Sequence, residues 1–187
     1  SRIGLLNASE SSVYVARTNL FKEGMRELGY VEGRNYSIEQ RSADGDIARL
    51  PALAAELLAL KVDLILTSGT PPAVAARKVT SVIPILFALA GDPVGSGLAT
   101  TLNRPGGNVT GLANGVASEL LTKRLDLLRQ MLPGMRRVGI LYLPDNAANM
   151  AGLKQFEADC AKLQLTSIRA PVRVAQEIPA AFDALKR

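Results

Sequence analysis

The sequence of 187 residues contains no histidine and a single cysteine, Cys160. Without histidine, the chain cannot form Ser/His/Asp or Cys/His nucleophilic centres. With a single cysteine and no histidine, it cannot form a cysteine–histidine zinc site or an internal disulfide. Cys160 stands at helical core spacing with Leu153, Phe156 and Leu163, which predicts a buried apolar side chain rather than a reactive thiol. The residues therefore indicate neither an enzyme nor a metal-binding protein.

Long apolar runs are also missing. Charged residues, among them Lys61 and Asp63, interrupt each candidate before it reaches the roughly 20 residues that a membrane-spanning helix needs. Aromatic residues make up only 4% of the chain, but apolar residues make up 48%, which is enough for a packed core. The net charge of +5 is spread over single or paired basic residues, a pattern that does not indicate a nucleic-acid partner.

Apolar segments of strand length alternate with segments of helical period, a pattern typical of parallel α/β proteins. Strands are predicted at 2–7, 36–41, 62–68, 83–88, 137–143 and 165–170, with a short strand or crossover at 109–112. Helices are predicted at 12–28, around 50–60, at 71–80, 118–132, 147–163 and 175–185. The alternation restarts after residue 112, so we expect two Rossmann-like lobes, 1–112 and 113–187, with the second lobe incomplete.

Ligands of open parallel sheets bind beyond the carboxyl ends of the strands. Four such strand ends are followed by small polar residues, at 7–12, 68–72, 90–93 and 144–149. This composition suits the binding of a small polar molecule better than its chemical conversion. The glycine-rich stretch 92–111 is interpreted as the rim of a ligand cleft and the approach to the second lobe.

The segment Ser68-Gly69-Thr70-Pro71-Pro72 carries the most informative of these patterns. Thr70 is suited to be a helix N-cap with Pro71 at the first helical position. The unpaired amides of that turn, with the Ser68 hydroxyl and the Gly69 amide, would then attract an anion such as a carboxylate. The alternative is that the segment is only a stable helix cap.

Several other side chains have two interpretations. Asp92 could neutralise a ligand ammonium or cap the turn before Pro93. Asn146 is expected to cap a helix and Asn149 to be free in its first turn. Tyr14 and Phe87 could form an apolar wall of the site, although the core is favoured for Phe87.

A nucleotide site is not expected. The sequence has no GxxxxGK[ST] motif, and its glycines do not follow a strand and open a helix with the spacing of a dinucleotide fingerprint.

The motifs GYVEGRN, IPI followed by DPV, and RPGGNVTG resemble the ABC-transporter substrate-binding proteins of the tryptophan-binding-like family. The resemblance extends to about residue 143 and implies a type I periplasmic binding protein, in which two lobes close on a ligand. The family's binding loops correspond to Ser9, Ser11, Ser12, Ser68, Gly69, Thr70, Asp92, Asn114, Asn146 and Asn149. The loop PDNAAN lacks the serine that often follows asparagine in relatives, so the resemblance leaves the ligand open.

These observations predict an exported solute-binding protein without a cofactor that delivers an amino acid, aromatic or otherwise, to an ABC permease in the membrane. It would be periplasmic or otherwise extracytoplasmic, either free or lipid-anchored. The alternative is the ligand-sensing domain of a repressor-type transcription regulator, which has the same two-lobed fold.

Overall fold

The computed structural model describes residues 1–9, 11–114 and 117–186, and of 11–13 and 117–119 it describes the backbone alone. The chain divides into two compact units, Ser1–Ala113 and Asn114–Arg187. Each unit is an α/β structure with parallel strands, as the alternation of strand and helix patterns predicts.

The first unit contains a sheet of five parallel strands in the order β2-β1-β3-β4-β5. The strands are β1 (Arg2–Asn7), β2 (Ser37–Ser42), β3 (Leu64–Ser68), β4 (Ile85–Ala90) and β5 (Val109–Ala113). The helices are α1 (Ser11–Glu27), α2 (Leu50–Ala59), which follows a 3₁₀ turn at Ile47–Arg49, and α3 (Thr70–Val79).

Helices cover the two faces of this sheet unequally. On one face, α2 and α3 pack on the strands around Leu6, Leu57, Ile65 and Ile85, which form the larger core. On the other face, Phe21 and Met25 of α1 pack against a smaller cluster, because alternate residues of β1 point to opposite faces. Ile3 and Leu5 belong to this α1 side.

The register of the strands aligns the carboxyl ends of three of them at one edge of the sheet. Leu6 pairs with Thr67, Thr67 pairs with Phe87, and Ser68 pairs with Ala88. The carboxyl ends of β1, β3 and β4 therefore lie side by side. The connections that follow them leave the sheet at one edge, which is where open parallel sheets bind ligands.

The segment predicted as a short strand or crossover is the fifth strand of this sheet. β5 pairs in parallel with β4, and Gly111 lies opposite Phe87. A Cβ atom on Gly111 would overlap the carbonyl oxygen of Phe87, so only glycine fits there without a shift of the strands.

The second unit contains a sheet of two parallel strands and three helices. The strands are β6 (Arg137–Tyr142) and β7 (Thr166–Pro171), and the helices are α4 (Ala117–Met131), α5 (Ala147–Lys162) and α6 (Ile178–Leu185). Leu125, Phe156, Cys160 and Leu165 form its core. Cys160 is buried as predicted, and burial raises the pKa of its thiol.

Some predicted helix faces extend too far. The apolar spacing of the sequence predicts a buried face of α1 that includes Leu28, but this helix ends at Glu27 and the Leu28 side chain is 75% exposed. The same spacing predicts that Leu128 and Leu132 of the segment 118–132 face the core, but both are exposed. The helical period continued through these residues, but the packed surface ended before them.

Asp159 is the buried carboxylate of the second unit. Its side chain accepts hydrogen bonds from Thr122 of α4, from Gln155 at 2.9 Å and from Lys162 at 3.3 Å. The Thr122 hydrogen bond is the largest cause that holds the pKa of Asp159 below its usual value, and burial opposes it. The ionised carboxylate therefore joins α4 to α5.

We expect Asp159→Asn to lower the free energy of unfolding at pH 7 by about 1.5–3 kcal/mol, the usual contribution of hydrogen bonds to a charged group. The folded-state pKa lies below the value of about 3.9 in an unfolded chain, so this stabilisation exists above that pH. It is lost as the pH falls through the folded-state pKa. Urea unfolding at pH 7 and pH 3 measures the difference between the two proteins.

The matched control is Asp183→Asn, which removes an exposed carboxylate of α6. A deficit of Asp159→Asn that stays constant between the two pH values would contradict the assignment.

Candidate functional site

The candidate site is the carboxyl edge of the first sheet, where β1, β3 and β4 end. Asn7, Ser68 and Ala90 are the last residues of these strands. Eight of the eleven ligand-binding residues predicted from the sequence belong to these strand ends or to the segments that follow them.

Thr70 joins two of these loops. Its hydroxyl accepts a hydrogen bond from the amide of Gly91 at 3.0 Å and donates one to the Gly91 carbonyl at 3.2 Å. Thr70 is buried, so this bridge fixes the turn between β3 and α3 against the loop after β4. The bridge positions Ser68 and Asp92 relative to each other.

The prediction that Thr70 is the N-cap of α3 is wrong. Gly69, with φ of 88°, occupies the cap position, and Thr70 is the first residue of the helix. The cap residue is a glycine and has no side chain that could cap the helix. The left-handed backbone of Gly69 turns the chain within one residue, so the Thr70 hydroxyl is available to the neighbouring loop.

Asp92 caps its own turn. Its carboxylate accepts a hydrogen bond from the Gly95 amide at 2.9 Å, in agreement with one of the two interpretations of this residue. Leu89 and Asp92 have positive φ angles of 58° and 34°, and the β4–β5 pairing shifts between Ala88 and Ala90. Positive φ is unfavourable for a leucine, and such strained residues are concentrated at functional sites.

A cavity of about 210 Å³ lies between α1 and the carboxyl halves of β1, β3 and β4. We call it the α1 cavity. Its apolar lining consists of Leu5, Phe21, Leu66, Ala88 and Leu89. Its polar and amphipathic lining consists of Asn7, Tyr14, Arg17, Thr18, Thr67 and Ser68. Tyr14 and Ser68, which the sequence analysis assigned to the site, are therefore brought together here.

Arg17 connects the helix to the strand end. Its Nη1 donates a hydrogen bond to the Ser68 hydroxyl at 3.3 Å, and its guanidinium lies 5.5 Å from the centre of the Tyr14 ring. Neither contact neutralises its charge. Within the described ranges, no carboxylate forms an ion pair with Arg17.

Asn7 supplies a second polar group. The residue is only 5% exposed, and its side-chain amide lines the α1 cavity. No residue that the structure describes forms a hydrogen bond with this amide, although the backbone carbonyl of Asn7 accepts one from Ala43. The hydrogen-bonding groups of this amide are therefore not used by the protein groups that the structure describes.

Of the other predicted residues of the first unit, those whose side chains the structure describes do not line the cavity. Ser9 is exposed, and its carbonyl accepts a hydrogen bond from the Ser42 hydroxyl at 2.6 Å. The side chains of Ser11 and Ser12 lie outside the described residues. Phe87 is buried in the larger core, as predicted.

The second unit contains three predicted residues. Asn114 is exposed. Asn146 is the N-cap of α5, as predicted, and its side chain accepts hydrogen bonds from the amides of Ala148 and Asn149. The expectation that Asn149 is free is wrong, because its side-chain oxygen accepts a hydrogen bond from the Leu143 amide at 3.0 Å. This bond anchors the loop after β6 to the first turn of the helix.

Sequence reasoning missed Arg17, and it included Asn7 only in the polar strand-end stretch 7–12 and not among the individual binding residues. Arg17 stands one helical turn after Tyr14, and residues spaced by three share a helix face, so this signal was present. Asn7 ends an apolar strand, where a polar side chain can face the ligand edge. Among the described residues, no group of histidine, cysteine or carboxylate side chains could hold a metal ion, and no helix is long and apolar enough to cross a bilayer.

Comparison with solved structures identifies the fold of the chain. The fold resembles a conserved domain protein from Vibrio cholerae, with a TM-score of 0.83 and 26% identity, and a Streptococcus pneumoniae ABC domain solved with L-Trp, with a TM-score of 0.80 and 24% identity. Each alignment covers 98% of this chain and 61% of the other. These likenesses show an α/β fold like that of periplasmic binding proteins.

The family is shown by the sequence as well. The profile of ABC transporter substrate binding proteins matches residues 6–187, and the chain belongs to this family. A curated relative, the tyrosine-binding protein of Clostridioides difficile strain R20291, is 33% identical over 122 residues. That alignment covers 65% of this chain and 34% of the relative. The family is one of substrate-binding proteins rather than of enzymes.

We expect Thr70→Val to destabilise the first unit by about 1–3 kcal/mol, because the substitution keeps the shape of the side chain and removes both hydrogen bonds to Gly91. Urea unfolding measures the loss, and hydrogen exchange should show a less protected Gly91 amide. The control is Thr110→Val on β5, an exposed residue that should change stability by less than about 0.5 kcal/mol. Equal stabilities of the two variants would contradict a structural role of the bridge.

Proposed function

We propose that this protein is the solute-binding component of an ABC importer and that its ligand is a free amino acid with an aromatic or aliphatic side chain. The membership of the chain in the ABC transporter substrate-binding family carries the importer part of the proposal. The relative with 33% identity is a tyrosine-binding protein, which supports an amino acid as the ligand.

The ligand would bind at the carboxyl edge of the first sheet, where Ser68, Gly69 and the loop after β4 meet. The described side chains there are suited to recognition rather than catalysis, because they offer hydrogen bonds but no base positioned beside a nucleophile. A bound ligand would be released unchanged.

The mechanism would be hinge closure between two lobes. The first unit would bind the ligand in an open form, and contacts from the second, which include those of Asn146 and Asn149, would stabilise a closed form. A membrane permease would recognise the closed form. The protein would work outside the cytoplasm, either free or lipid-anchored, as expected of a substrate-binding protein.

Isothermal titration calorimetry of the purified protein, expressed at its full natural length, tests this proposal against the twenty common amino acids. We expect saturable binding of one or a few amino acids with aromatic or aliphatic side chains and a higher thermal unfolding temperature with the same ligands. An absence of both heat and thermal shift with every amino acid would overturn the amino-acid assignment.

A further inference from the structure

The polar groups at the α1 cavity are mainly hydrogen-bond donors. Arg17 has five N–H groups, of which one reaches Ser68. The Ser68 hydroxyl accepts that bond and keeps its own proton to donate. The amide of Asn7 contributes two further N–H groups without a described partner. Such a cluster matches an acceptor with several lone pairs.

The charge at the cavity points to an anion. No aspartate or glutamate lines the cavity within the part of the chain that the structure describes. Among the described residues, the Arg17 guanidinium therefore has no counter-ion, and it contacts Tyr14 and Ser68. A planar guanidinium is well suited to a carboxylate, which it can bind through two parallel hydrogen bonds.

The rest of the cavity lining is apolar and favours an apolar part of a ligand. Leu5, Phe21, Leu66 and Leu89 provide aliphatic and aromatic walls. The volume of about 210 Å³ exceeds the roughly 150 Å³ of an engineered apolar cavity that binds benzene. One six-membered ring or one branched aliphatic side chain can therefore enter.

We propose that Arg17, assisted by Ser68 and Asn7, binds the carboxylate of the ligand and that the α1 cavity receives its apolar side chain. The inference rests on the proposed function and adds the orientation of the ligand and the group that selects for its carboxylate. Arg17 is then a specificity-determining residue: it favours carboxylates over amines and amides that have the same side chain.

Three probes distinguish the contribution of the ligand carboxylate from that of its ammonium group. L-Tyrosine has both charged groups, 3-(4-hydroxyphenyl)propanoate lacks the ammonium, and tyramine lacks the carboxylate. We expect wild-type protein to bind the first two in calorimetry and to bind tyramine at least about tenfold more weakly than tyrosine. Arg17→Gln should lower the affinity for both carboxylate probes by about 10- to 100-fold and leave the affinity for tyramine unchanged. For the two carboxylate probes, the affinity of Arg17→Lys should lie between those of the wild type and Arg17→Gln, because lysine keeps the charge but lacks the planar guanidinium.

Arg26→Gln is the matched control, since Arg26 is an exposed arginine in the last turn of the same helix. It should bind all three probes as the wild type does. Thermal unfolding of each variant checks that the fold is intact, which is expected because Arg17 is exposed. Tyrosine binding by Arg17→Gln that equals that of Arg26→Gln would overturn the role of Arg17 and leave the proposed function standing.

A substitution that fills the α1 cavity tests whether the ligand side chain binds there. Ala88→Leu places a larger side chain in the cavity wall and should lower the affinity for tyrosine at least about tenfold. The control Ala52→Leu, on the exposed side of α2, should not change this affinity. Unchanged binding by Ala88→Leu would show that the side chain binds elsewhere. Failure of all three probes on wild-type protein would overturn this inference, and the separate amino-acid panel then decides whether the proposed function fails with it.

Discussion

The parallel, in-register pairing of β1, β3 and β4 is the constraint on which the candidate site depends. It brings Asn7, Ser68 and Gly91 to one edge of the sheet, although they are far apart in sequence. Successive side chains of a strand point to opposite faces, so a shift of one residue would turn Asn7 or Ser68 away from Arg17. The buried aliphatic residues on both faces prevent that shift, and the core thereby fixes the chemistry of the edge.

The polar residues at this edge divide into two groups. Thr70 and Asp92 are used by the loops themselves: the hydroxyl of Thr70 bridges to Gly91, and the carboxylate of Asp92 caps the turn to Gly95. Arg17 and Asn7 have spare hydrogen-bonding capacity among the described residues. A rigid edge with a few uncommitted donors suits a protein that binds and releases one small molecule unchanged, because little ordering remains to be done when the ligand arrives.

Much of the fold follows from local patterns. The alternation of aliphatic strands and helical periods predicted a parallel α/β architecture, and the spacing of Cys160 with its apolar neighbours predicted its burial. Helix ends were less accurate. Leu28 continues the apolar stripe of α1, but this helix stops one residue earlier and the side chain is exposed. A stripe shows which face of a helix is apolar, and the partner surface decides how much of it is covered.

At the candidate site too, some features follow from the sequence and others only from the folded structure. The sequence by itself determined the α/β class, the family resemblance and the exclusion of histidine chemistry, because composition, periodicity and motifs are properties of the chain alone. Only the tertiary structure decided that Thr70 bonds Gly91, that Asn149 bonds the Leu143 amide and that Arg17 reaches Ser68. Each of these bonds joins groups that only folding brings within about 3 Å, the range over which a hydrogen bond forms.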